Sequence, residues 1–234
     1  MDTAKKQYER MIMKKAFTRS LPIMMSYLFI GLAYGMTMAE SGFGWLWSAA
    51  VSATVYTGAY QFVLISFLSS GASLVTVALT ALLMNSRQSF YALSFLTDFK
   101  SMGRHKLYMI STLTDETYAV NCALDDEPEE ERHALMLRVA VLSRIYWIGA
   151  SALGGLLGQL IPFDLEGIDF CMTALFIIIF IDRWEKDASH RPAVTGAAVG
   201  VICLILFGAG SFMLPTLLIS SGLLILMSGK EARA

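Results

Sequence analysis

Charge is what this sequence has least of. Asp, Glu, Lys and Arg together make up 16% of its 234 residues, whereas 56% are hydrophobic and the mean hydropathy is +0.57. Soluble domains carry about 25% charged residues, so this balance excludes an ordinary water-soluble domain and calls for lipid. Histidine is scarcer still: His105, His133 and His190 all fall in polar connecting stretches, and none sits at membrane depth to serve an intramembrane protease. The sequence has no HExxH pair, no Lys-Ser/Thr phosphate loop and no glycine-rich nucleotide fingerprint, which argues against metal-dependent hydrolysis and ATP-driven work. Cys122, Cys171 and Cys203 lie in apolar or membrane-proximal segments without metal-ligand spacing. A net charge of -1 gives nucleic acid no purchase. No enzymatic activity, cofactor or metal is expected.

What is present is a series of long intervals without charge. A helix needs about 20 apolar residues to cross a bilayer. Charge is missing between Arg19 and Glu40, Glu40 and Arg87, Arg144 and Asp164, and Arg191 and Lys230. The second and fourth intervals hold two spans each, with turns predicted at Ser69-Ser70-Gly71 and Gly208-Ala209-Gly210-Ser211. The expected fold is an all-α integral membrane bundle of about seven membrane helices. The first segment carries Lys5, Lys6, Arg10, Lys14, Lys15 and Arg19 against Asp2 and Glu9, which places residues 1–20 in the cytoplasm as a basic arm. Residues 21–228 form the membrane domain, with an acidic loop at 125–133 read as solvated, and 229–234 a short polar tail. Thr37-Met38-Ala39 resembles a signal cleavage site, but the run before it is long enough to remain as a span.

Helix one is predicted over Leu21–Ala39, with Pro22 in its first turn and Gly31 and Gly35 on one face suited to close helix packing. Further spans are predicted at 139–160, 168–183, 193–209 and 212–228. The segment 72–96 is interrupted by Asn85-Ser86-Arg87-Gln88-Ser89 and is predicted to be a broken or re-entrant helix of the kind that lines transporter sites. If 72–96 and 107–124 both crossed fully, Lys100, Arg104 and Lys106 would fall outside, against the charge rule, so at least one crossing is incomplete. Gly42-Phe43-Gly44-Trp45 is faintly echoed by Gly167-Ile168-Asp169-Phe170, compatible with internal repeats.

Polar residues at membrane depth are costly unless they face protein or water. Gln61, beside the small Gly58 and Ala59, either hydrogen-bonds a substrate's charged end or makes an interhelical bond. Asn85 and Arg87 sit at the expected break, where Arg87 pairs with a carboxylate or snorkels to headgroups. Asp115 and Glu116 are either a titrating pair, raised in pKa by apolar surroundings and able to carry a proton, or the polar face of an interfacial helix.

Several segments together resemble the AzlC family, also called the YgaZ type: Gly58-Ala59-Tyr60-Gln61-Phe62, Asn85-Ser86-Arg87 leading to Phe90-Tyr91, Leu113-Thr114-Asp115-Glu116-Thr117, and Gly167-Ile168-Asp169-Phe170 followed by Thr173-Ala174-Leu175-Phe176. That resemblance spans about Lys15 to Met227. It implies export of valine, leucine, isoleucine and often methionine, driven by the proton gradient, and a small AzlD-type membrane subunit as partner. The bacterial cytoplasmic membrane is the implied location. Tyr60 and Gln88 depart from the family's usual small residue and histidine. The competing reading is a non-transporting membrane subunit that stabilises or regulates a partner.

Overall fold

The computed structural model describes residues 2–124, 126–160, 177, 180, 181, 184, 185, 189–208 and 212–231, and every regular element among them is helical. They fall into two compact units, residues 1–66 with 87–168, and residues 67–86 with 169–234. The first unit holds α1 (Asp2–Glu40), α2 (Trp45–Thr54), the start of α3 (Gly58–Ser70), α5 (Leu96–Ser101), a 3-10 turn (Gly103–His105), α6 (Lys106–Ser111), α7 (Asp115–Cys122) and α8 (Glu129–Leu160). The helix α4 (Leu74–Ser94) begins in the second unit, which also holds α9 (Arg191–Phe207) and α10 (Met213–Glu231).

Among the described residues, α1 and α8 are long and apolar enough to cross a membrane in one piece. They run parallel along each other. Ser20 Oγ lies 3.2 Å from Tyr146 Oη, and further along Gly31 faces Ala150, Gly35 faces Ser151 and Gly155, and Gly158 faces Met36 and Ala39. Small residues permit this approach: a Cβ on Gly31 would come within 2.6 Å of Ala150 Cβ, and one on Gly35 or Gly154 would overlap the opposing backbone. The expected packing face of Gly31 and Gly35 is present; its counterpart on α8 is Ser151, Gly154, Gly155 and Gly158. The outer faces stay apolar, with Phe29 66% exposed and Ile145 58% exposed, a surface suited to lipid rather than water.

Three expectations change. The basic arm is no separate piece, because it forms the first half of the 39-residue α1 and buries Ile12 and Ala16 completely. Pro22 therefore lies inside the helix rather than in its first turn, at the cost of one backbone hydrogen bond. The acidic stretch is not simply a solvated loop: Glu129, Glu130 and Glu131 open α8, while Glu127 and Glu131 pair with Lys15, and Glu127 also lies 3.9 Å from Arg19. The third change concerns α4, which runs unbroken through Asn85 to Ser89.

A charged layer forms at one end of the first unit. Lys15 and Arg19 meet Glu127 there, Arg138 pairs with Glu9, and Asp98 binds both Arg132 and His133, the last at 3.1 Å. The basic stretch 100–106 thus follows Asp98 into the same end as the N-terminal half of α1. In the second unit, α9 ends at Phe207 and Gly208 takes φ +71°, while α3 ends at Ser70 and Gly71 takes φ +65°. Both predicted turns start where expected, on glycines that adopt left-handed φ without a Cβ clash. The span expected at 168–183 lies largely outside the described residues, as do Gly167-Ile168-Asp169-Phe170 and Thr173-Ala174-Leu175-Phe176.

Candidate functional site

Two helix interruptions, neither at 85–89, meet against the α1 and α8 pair. The first separates α2 from α3 at Val55-Tyr56-Thr57. Tyr56 takes φ +47°, rare for a bulky residue and maintained only where surroundings over-determine it. Those surroundings are visible: the Tyr56 ring is 4% exposed, and the Arg144 guanidinium sits 5.0 Å over it. Arg144 also donates from Nη2 to the carbonyl of Ala53 at the end of α2, supplying a partner to a carbonyl the ended helix leaves open.

Gln61 locks this break. Its Oε1 accepts from Trp147 Nε1 at 2.9 Å and from the Thr57 backbone N–H at 3.1 Å, and its Nε2 donates to Ser52 Oγ at 3.1 Å. Ser52 lies one turn before the break and Gln61 one turn after it. A straight helix would hold them about 13 Å apart at 1.5 Å per residue, so the chain bends sharply back. Trp147 stacks on Tyr34 at 6.1 Å and meets Tyr27 edge-on at 5.2 Å, while Tyr34 meets Phe62 edge-on at 5.5 Å.

The second interruption separates α6 from α7 at Thr112-Leu113-Thr114. Thr114 caps α7 by a reciprocal pair: its Oγ1 accepts from Thr117 N–H at 3.3 Å and Thr117 Oγ1 accepts from Thr114 N–H at 2.7 Å. Asp115 and Glu116 occupy the first turn of α7, where helix amides attract negative charge. Tyr27 of α1 joins this tip, donating to Glu116 Oε2 at 3.0 Å and bonding Thr114 Oγ1 at 2.8 Å. The pair α6 and α7, of 6 and 8 residues, is far too short to cross. It leaves the charged layer, reaches Tyr27 roughly 18 Å along α1 from Lys15, and returns to Glu127 beside Lys15. The two short helices thus form a hairpin that leaves the charged layer and returns to it, compatible with the incomplete crossing expected in this region.

The two tips are neighbours. Tyr56 from the first break lies in the field of Tyr27, Glu116 and Arg144. The Tyr56 hydroxyl is set against Tyr27 and that of Tyr34 against Gln61, while Thr57 Oγ1 is shut off from solvent without a hydrogen-bond partner among the described residues. Buried polar atoms are rarely left without a partner. The arrangement sets one arginine and two carboxylates beside buried aromatic side chains.

The expected site residues divide accordingly. Gly58, Ala59 and Gln61 open α3 at the first break, and Asp115 and Glu116 open α7 at the second. Gln61 makes the interhelical bond that stood as one of its two readings, and both lone pairs of its carbonyl are engaged. Asn85 and Arg87 lie on the uninterrupted α4, with Asn85 half-buried in the second unit. No freed backbone groups exist there to face a cavity, because Arg and Gln are good helix formers and one Asn with two Ser does not end a 21-residue helix. Tyr27, Tyr56, Arg144 and Trp147 were missed as site residues; the one signal was a charge followed by two aromatics, Arg144-Ile145-Tyr146-Trp147, at the start of an apolar interval.

The family model described as AzlC protein matches residues 22–161. The chain belongs to the AzlC family. Both breaks, and the stretches of α1 and α8 that hold them, lie inside the AzlC match. Among AzlC relatives, the branched-chain amino acid transport protein AzlC of Bacillus subtilis is 35% identical over 214 residues, 92% of this chain and 84% of that protein. An uncharacterized membrane protein of Helicobacter pylori is 37% identical over 213 residues, 91% of this chain and 93% of that protein. The inner membrane protein YgaZ of Escherichia coli is 28% identical over 208 residues, 86% of this chain and 82% of that protein. No solved structure matches.

Proposed function

We propose that this AzlC-family chain is a secondary transporter of the bacterial cytoplasmic membrane that exports branched-chain amino acids, namely valine, leucine, isoleucine and also methionine. The observation that carries this reading is the meeting of two helix breaks against a parallel pair of long apolar helices, the arrangement by which unwound backbone faces a substrate rather than lipid. The name of the Bacillus subtilis relative supports the substrate class. Taking the charged layer at Lys15 as the cytoplasmic interface, the tips at Tyr27 lie about halfway through a hydrocarbon core of about 30 Å, and the N-terminus is cytoplasmic. The complete bundle holds about seven membrane segments.

In this mechanism Gly58, Ala59 and Gln61 shape the wall of the substrate site at the first break, and Trp147, Tyr34 and Phe62 receive the aliphatic side chain. Asp115 and Glu116 at the second break carry the proton that couples export to the gradient. A small AzlD-type membrane subunit completes the exporter, and no chemical transformation occurs. The test is efflux from cells lacking their own exporters and loaded with a leucine- or methionine-containing dipeptide. Efflux that requires this chain and its small partner, and collapses with a protonophore, is expected. A chain and partner that reach the membrane yet never exceed empty cells would overturn the reading and favour a non-transporting subunit.

A further inference from the structure

We propose that Arg144 and Glu116 are the two charged anchors of a zwitterion site, Arg144 taking the α-carboxylate and Glu116 the α-ammonium of the exported amino acid. This rests on the transport reading above and assigns charges to its site.

Arg144 stands apart from the other arginines of α8. Arg132 is paired with Asp98, and Arg138 with Glu9. Arg144 has no carboxylate among the described residues, and its partners are the Ala53 carbonyl and the faces of Tyr56 at 5.0 Å and Tyr108 at 5.8 Å. A guanidinium offers five donors in a planar fork that fits a carboxylate with two bonds. At membrane depth an unpaired charge is expensive and is retained where function needs it. Glu116 is the complement: its Oε2 is held by Tyr27, and no cation pairs with it among the described residues. Between them lies Tyr56, with the guanidinium over its ring and its hydroxyl set against Tyr27.

The same placement supplies a coupling rule. Glu116 faces Tyr27 from α1, Tyr56 from the first break, and Thr114 and Asp115 on its own segment, with Arg144 reaching from α8 only as far as Tyr56. A carboxyl group that holds a proton cannot also hold an ammonium ion by charge. Proton and substrate then exclude each other at Glu116: a proton arriving from outside releases the amino acid outward, and an amino acid arriving from the cytoplasm releases the proton inward.

The first test needs no variant. The full chain with its small subunit in liposomes is challenged with leucine, with 4-methylpentanoate, which lacks the ammonium, and with 3-methylbutylamine, which lacks the carboxylate. Leucine should protect against thermal unfolding at concentrations at least tenfold below either analogue; equal protection by either one overturns the proposal. The second test compares Arg144→Gln, Arg144→Lys and Glu116→Gln in leucine efflux. The proposal expects KM to rise at least tenfold in Arg144→Gln with partial recovery in Arg144→Lys, and the pH dependence to disappear in Glu116→Gln. Wild-type leucine transport with unchanged KM in Arg144→Gln overturns the anchors and leaves the transport reading standing. A wild-type complex that neither binds nor moves leucine overturns the transport reading, and the anchors with it.

Discussion

The two helix breaks of the first unit solve one problem with different chemistry. At 55–57 the freed backbone is held by side chains from other segments: Gln61 bridges Ser52, Thr57 and Trp147, and Arg144 covers the carbonyl of Ala53. At 112–114 the break is held largely by itself, through the reciprocal Thr114 and Thr117 cap, with Tyr27 as the external brace. The first tip thus draws a cation and an amide, the second two carboxylates. Opposite charge reaches one place from two elements, the cation from α8 and the carboxylates from α7.

Both tips rest on the α1 and α8 pair, so prising that pair apart breaks the comparison most completely. A leucine at Gly35 would drive into the backbone at Ser151 and Gly155. Gly35→Leu is expected to cost about 3 kcal/mol or more by overpacking, seen as loss of folded protein from the membrane and a lowered thermal midpoint in detergent. Gly149→Leu is its control, since an added Cβ there meets nothing within 4 Å; a comparable loss in both would deny that the close approach matters.

Next in size is the amide lock. Gln61→Leu leaves the Trp147 and Thr57 N–H groups buried without their acceptor, which should cost about 2–6 kcal/mol at a penalty of about 1–3 kcal/mol each. At the self-capped break, Thr114→Ala should cost less, about 1–2 kcal/mol. Thermal midpoints in the same detergent decide between them. If Thr114→Ala proves the more damaging, the second tip depends on its brace more than on its cap.

How these breaks read in the sequence follows from the same chemistry. Thr114 followed by Asp115 and Glu116 is a helix N-terminus signature, a hydroxyl cap with acids in the first turn. Within an apolar run from Leu107 to Leu124 it looks like two misplaced charges, so the residues were found and their reason was not. The Thr54-Val55-Tyr56-Thr57-Gly58 stretch carries β-branched residues before a glycine, a weak helix by propensity, yet Gly58, Ala59 and Gln61 drew notice as a ligand wall and not as a helix break. The stretch 85–89 is more polar and looked like the better break, but its backbone stays helical, because polarity alone opens no helix. Arg144, Trp147 and Tyr27 passed unread since an arginine near the start of a span and aromatics within one are ordinary features of membrane helices. Their meaning lies in which segments they touch, and that depends on parallel helices about 120 residues apart in sequence.

The smallest expected effects come from the charged layer, where they separate its exposed pairs from its part-buried one. Asp98 accepts from Arg132 and lies 3.1 Å from His133, with its side chain 14% exposed, so Asp98→Asn should cost about 1 kcal/mol. Glu131→Gln removes a partner from Lys15, whose side chain is 43% exposed, and water and salt already screen that pair. Unfolding of the Glu131 variant should match the parent at about 0.15 M salt and fall behind it only as ionic strength is lowered and the screening length grows. A deficit that persists at high salt would mean that Lys15 and Glu131 close the charged end of the first unit rather than decorate it.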